Sequence, residues 1–87
     1  MIKKGSPVPI YFQLEQGIKE LIETKKLKAG DMLPSEREFA DKYQISRMTV
    51  RQAINNLVKD GYLVRERGKG TFVALQKVEQ NFKGLTS

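Results

Sequence analysis

The chain has 87 residues, enough for one small domain, and an ordinary globular composition of 39% hydrophobic and 30% charged residues. It contains no cysteine and no histidine, which excludes a disulfide framework and thiolate metal sites and removes the commonest general base and zinc ligand. Sixteen basic against ten acidic residues give a net charge of +6, and residues 44–70 alone carry six basic and two acidic side chains. Such a concentrated basic block suits a polyanionic partner.

Residues 1–8 read as an arm, kept extended by Pro7 and Pro9. The basic start is followed by Gly5, Ser6 and Pro7 in place of an apolar run, so a signal peptide is not expected, and no stretch has the length of a membrane span. A first helix is predicted from Pro9 to about Lys25. Tyr11, Leu14, Ile18, Leu21 and Ile22 form one apolar face at helical spacing, and Lys25 and Lys26 lie at the negative end of the dipole.

A connector follows over 27–34, with a turn at Ala29-Gly30-Asp31 and a short extended piece at Met32-Leu33. Ser35, three residues before Glu38, is a capping-box signature that opens a short second helix ending near Tyr43. Gln44-Ile45 is a turn, and Ser46 caps a third helix that runs to about Asp60 and is closed by Gly61. Val50, Ala53, Ile54, Leu57 and Val58 make its apolar face. Arg47, Arg51, Gln52, Asn55 and Lys59 lie opposite.

Two short strands, Tyr62–Glu66 and Thr71–Ala74, flank the tip Arg67-Gly68-Lys69-Gly70. Residues 76–87 read as a polar linker leading toward a further domain.

Three helices and an antiparallel hairpin make an α+β, mainly α, winged helix-turn-helix, assigned to residues 9–75. A helix that enters a major groove needs one wet, basic face and one anchored face, and the third helix is divided in this way. Arg47 and Thr49 stand in its first turn with Arg51 one turn on, and Ser46 with the free N–H groups can hold a phosphate oxygen. Arg65, Arg67 and Lys69 make the hairpin tip basic, while Gly68 and Gly70 keep it slim enough for a minor groove.

Each feature also has a plainer reading. Arg47 and Arg51 could form a solvated helix face, Gly68 and Gly70 could serve the hairpin turn alone, and Arg37 could pair with Asp41 at i+4. Tyr62 and Phe72 read as wing-to-body packing. A winged-helix protein-interaction module and an RNA-binding winged helix are the rival functions. Catalysis is the weakest, because Gly68-Lys69-Gly70-Thr71 lacks the phosphate-loop pattern and precedes a strand.

Leu33-Pro34-Ser35-Glu36-Arg37-Glu38-Phe39-Ala40, Ile45-Ser46-Arg47-Met48-Thr49-Val50-Arg51-Gln52-Ala53, Leu57-Val58-Lys59-Asp60-Gly61-Tyr62-Leu63 and Gly68-Lys69-Gly70-Thr71-Phe72-Val73 together resemble the DNA-binding domain of GntR-family regulators. The opening Val8-Pro9-Ile10-Tyr11-Phe12-Gln13-Leu14 and the wing are similar to the HutC branch. The resemblance implies a bacterial cytoplasmic, nucleoid-associated regulator, most simply a repressor of amino-sugar or other carbohydrate utilisation genes. Such a regulator binds palindromic double-stranded operators as a homodimer, needs no cofactor, and senses a small molecule through a separate C-terminal domain. It further implies that Arg37, Arg47 and Arg51 contact guanines or phosphates, that Ser35, Ser46 and Thr49 contact phosphates, and that Gly68, Lys69 and Gly70 enter the minor groove.

Overall fold

The computed structural model describes residues 2–75. Three helices come first: α1 (Ile10–Glu23), α2 (Glu36–Tyr43) and α3 (Arg47–Lys59). Strands β1 (Leu63–Glu66) and β2 (Gly70–Val73) follow and pair antiparallel, with Leu63 opposite Val73 and Glu66 opposite Gly70. The architecture is the winged helix-turn-helix expected from the sequence. No helix among the described residues is long and apolar enough to cross a membrane.

Local chemistry sets most boundaries. Ser35 Oγ accepts from the Glu38 N–H at 3.1 Å, and the Glu38 carboxylate accepts from the Ser35 N–H at 2.8 Å, so the capping box is complete. Beyond α3, Gly61 takes φ +89°; its N–H returns to Val58 and that of Tyr62 to Leu57, which satisfies two carbonyls at the helix end. Gln44 ends α2 in the left-handed region at φ 56°. A non-glycine residue there costs about 1–2 kcal/mol, and the sharp reversal it makes sets α3 across α2.

The end of α1 and the course of the arm differ from expectation. Helix α1 starts after Pro9, which is its N-cap, and stops at Glu23; Lys25 lies outside in a left-handed conformation at φ 66°. Lys25 and Lys26 therefore do not line the last turn. The arm is not extended either. It folds into a turn in which the Ser6 N–H reaches Lys3 C=O, and the Gln13 side chain bonds both backbone groups of Lys3 and the carbonyl of Val8. Two prolines do restrict their neighbours to extended backbone, but the side-chain amide of Gln13 supplies partners that bend the chain around it.

The core joins α1 through Leu14 and Ile18, α3 through Val50, Ile54 and Leu57, and the wing through Leu63 and Val73. Glu15 is only 6% exposed; its carboxylate accepts from Asn56 Nδ2 at 2.8 Å, tying α1 to α3. The extended piece at Met32-Leu33 joins the wing. Met32 bridges Phe72, Leu33 N–H donates to Thr71 C=O, and Val73 N–H donates to Asp31 C=O. Strand β2 thus has hydrogen-bonded backbone on both sides. Tyr62 packs against the core and lies under the Lys19 ammonium. Phe72 does not follow it: alternation places it with its cross-strand partner Val64 on the face away from buried Leu63 and Val73.

Candidate nucleic-acid interface

The outer face of α3 begins at Ser46, whose Oγ accepts from the Thr49 N–H at 3.1 Å and lies 2.8 Å from Thr49 Oγ1. This fixes the first turn and places Arg47 and Met48 at its open end, both exposed. Arg47 and Arg37 have no ion-pair partner among the described residues, so the plainer reading of Arg37 as the partner of Asp41 does not hold. Short-range spacing allowed that pair, but both side chains remain in water, where such a pair contributes little.

Arg51 behaves differently from its sequence reading as an open-face cation. Its Nε lies 3.2 Å from Glu36 Oε1, while Arg65 Nη1 and Nη2 of β1 approach Glu36 Oε2 at 3.3 Å. Arg65 Nη2 also donates to Asn55 Oδ1 at 2.6 Å. One carboxylate at the start of α2 therefore ties the middle of α3 to the first strand of the wing. Arg51 is 59% and Arg65 40% exposed at the side chain, against 19% for Glu36. Pairs this wet contribute roughly 0.2–1 kcal/mol. They aim the guanidiniums more than they stabilise the fold.

The wing tip is a tight turn closed by Lys69 N–H to Glu66 C=O at 2.9 Å. Gly68 sits at its third position with φ +78°, the place a type II turn reserves for glycine. Gly70 has φ +132°, and a Cβ there would meet Met32 Sδ at 3.4 Å. Backbone conformation alone thus requires both glycines, and a groove is a further use of the same slim tip. Arg67, Gly68, Lys69 and Gly70 are all exposed.

Of the residues singled out from the sequence, Ser35, Arg37, Ser46, Arg47 and Arg51 lie exposed on α2 and α3 or their caps, with Thr49 half-buried among them. Gly68, Lys69 and Gly70 stand at the wing tip. Glu36 and Asn55 were missed as organisers, and Arg65 was read only as wing charge. Their signal is non-local, since the Glu36 pairs span 15 and 29 residues. Met48, 71% exposed in the first turn of α3, is an apolar surface that the sequence reading also passed over.

Residues 10–73 match the family described as bacterial regulatory proteins, gntR family. The chain belongs to the gntR family. It is 52% identical over 86 residues to the HTH-type transcriptional repressor NagR of Bacillus subtilis, covering 99% of this chain and 35% of that protein. This gntR-family chain thus spans about a third of the length of that relative. Among solved structures it is similar to YtrA from Sulfolobus acidocaldarius, a GntR-family transcription factor, with a TM-score of 0.81 and 36% identity over 99% of this chain and 76% of that one. It is also similar to the DNA-binding domain of AraR in complex with operator ORX1, with a TM-score of 0.79 and 33% identity over 85% of this chain and 95% of that one.

Proposed function

We propose that this gntR-family chain binds double-stranded DNA sequence-specifically, as the operator-reading part of a transcriptional repressor. The observation that carries the reading is the exposed Arg47 face of α3, joined through Glu36 to the basic wing; the operator complex of the similar AraR domain supports it. Arg47, with Arg37, reads guanine edges in the major groove. Arg51, Ser35, Ser46 and Thr49 hold phosphates; the Ser35 hydroxyl spends a lone pair on its cap and keeps its hydrogen to donate, and the hydrogen-bonded Ser46–Thr49 hydroxyl pair keeps one. Gly68, Lys69 and Gly70 follow the minor groove. Two copies read the halves of a palindrome in a longer, homodimeric protein that acts in the cytoplasm, and a C-terminal domain reached through residues 76–87 senses the effector. Those residues lie outside the described ones. Relatives named as arabinose and fructoselysine repressors favour carbohydrate utilisation genes as targets, and we place amino-sugar genes among them. Catalysis forms no part of this role.

Selection of bound duplexes from a random pool, followed by titration across salt, tests the proposal. A single preferred half-site should emerge. Six to ten phosphate contacts predict a loss of about 10³-fold or more in affinity between about 50 and about 200 mM salt. Affinity that barely moves with salt, or a pool that yields no preferred sequence, would end it.

A Glu36→Gln exchange separates aim from charge. Removing the carboxylate raises the net charge of the basic face by one, so binding to a scrambled duplex should strengthen severalfold. Arg51 loses the anchor of its phosphate contact, and with it the register of Arg47 on the base edges, so the ratio of selected to scrambled affinity should fall about tenfold, within the roughly 1–3 kcal/mol of one base contact. Equal changes on both duplexes would show that Glu36 acts as charge alone.

A further inference from the structure

Lys4 lies far from α2 in sequence, yet its Nζ donates to the carbonyl of Gln44, the residue that ends α2. The bent arm brings it there. Ile2 packs against the core, and Gln13 Oε1 accepts from Lys3 N–H at 2.7 Å while Gln13 Nε2 donates to Lys3 C=O at 3.0 Å. Two ordered backbone anchors thus hold consecutive exposed lysines, and neither lysine has an ion-pair partner among the described residues. Gln44 stands two residues before Ser46, so the ammonium sits beside the end of α3 that carries Arg47.

From these positions we infer that the Lys3-Lys4 arm is a third DNA-contacting element, a phosphate clamp on the opposite side of the helix-turn-helix from the wing. The inference rests on the DNA-binding reading above. Glu36 opens α2 and holds the wing's Arg65, whereas Gln44 closes α2 and holds the arm's Lys4. The two residues that hold these cations stand at opposite ends of α2, whose backbone rises about 12 Å over its eight residues. Wing and arm thereby put positive charge at both ends of α2, and the arm's ammonium lies near Ser46, where α3 begins. An ammonium has three donors; one is spent on the Gln44 carbonyl, which leaves two for a phosphate oxygen. That same carbonyl at the negative end of α2 keeps the side chain from collapsing elsewhere.

The alternative is that Lys4 merely caps α2, and the two roles give different readouts. Affinity of the 87-residue chain for the selected duplex and for a scrambled duplex of equal length would be measured across salt, for wild type, Lys4→Gln, Lys3→Gln/Lys4→Gln and Lys4→Arg, with a thermal melt of each protein. A phosphate contact predicts that Lys4→Gln lowers the log–log salt slope by about 0.9 on both duplexes, equivalent to roughly a 3.5-fold change in affinity between about 50 and about 200 mM salt. The double variant should lose up to twice that slope, and Lys4→Arg should retain it. An unchanged slope, with or without a lowered melting temperature, overturns the clamp while leaving the operator-reading proposal intact. A wild-type chain with no salt dependence overturns both.

Discussion

Arg47→Ala should weaken binding to the selected duplex by roughly 5- to 150-fold while leaving thermal stability unchanged within about 0.5 kcal/mol. The side chain is exposed at the first position of α3 and engages no acidic group among the described residues, so its removal breaks nothing in the free domain. Its loss is felt only against DNA, where a bidentate guanidinium–guanine pair supplies about 1–3 kcal/mol of discrimination. Arg47→Lys makes the measurement specific. An ammonium keeps the charge but lacks the planar fork, so the salt slope should survive while the preference at one base pair relaxes. Full recovery of sequence preference by lysine would mean that the position supplies charge and not readout. Unaltered affinity in Arg47→Ala would remove α3 from the groove altogether.

The second large effect concerns folding. Leu57→Ala should destabilise the domain by about 3 kcal/mol, within the roughly 2–5 kcal/mol seen for truncating buried leucines. Leu57 is fully buried on α3, in the same cluster as Leu14 and Ile18 of α1 and Leu63 of β1. Helices hold it from one side and the wing from another, so the space left behind has little freedom to close. For a chain of this size the total stability is on the order of 4–13 kcal/mol, and the melting temperature should fall by roughly 12–24 °C. A scan by circular dichroism reads this directly. A fall smaller than about 4 °C would show that Leu57 does not sit in the core. Duplex affinity at low temperature, where the variant remains folded, should change little, which separates this exchange from Arg47→Ala.

What could be read from the chain, and what could not, follows the range of the interactions. The capping box at Ser35 and Glu38 and the glycine stop at Gly61 are decided within five residues, and each appears where the sequence put it. The apolar stripe Leu14, Ile18 and Ile22 also fell inward, since its spacing is that of a single helix face. Strand and helix ends moved by one or two residues: β1 begins at Leu63 because Tyr62 N–H closes the end of α3, and α1 stops at Glu23 as Lys25 turns left-handed. Arg51 was legible as an exposed cation of the reading helix, but not as a partner of Glu36, because nothing local to either residue reports the other. The same distance hid the arm. Pro7 and Pro9 signalled straightness, and only the folded chain brings Gln13 close enough to bend it. Phe72 reads as wing-to-body packing, and parity along a four-residue strand turns it to the other face.

The flanking of β2 by β1 and by the piece at Met32-Leu33 has a consequence for behaviour at high concentration. Since the middle strand is occupied on both flanks, only the rims of this small sheet offer free backbone groups to another molecule. One rim ends in Arg65 and Glu66 with Arg67 just beyond, and the other carries Asp31 and stops at Pro34, which has no N–H. Charge and a missing donor at such rims resist sheet-to-sheet growth between molecules. Self-association through the wing is thereby discouraged, and the tip can stay bare, basic and soluble.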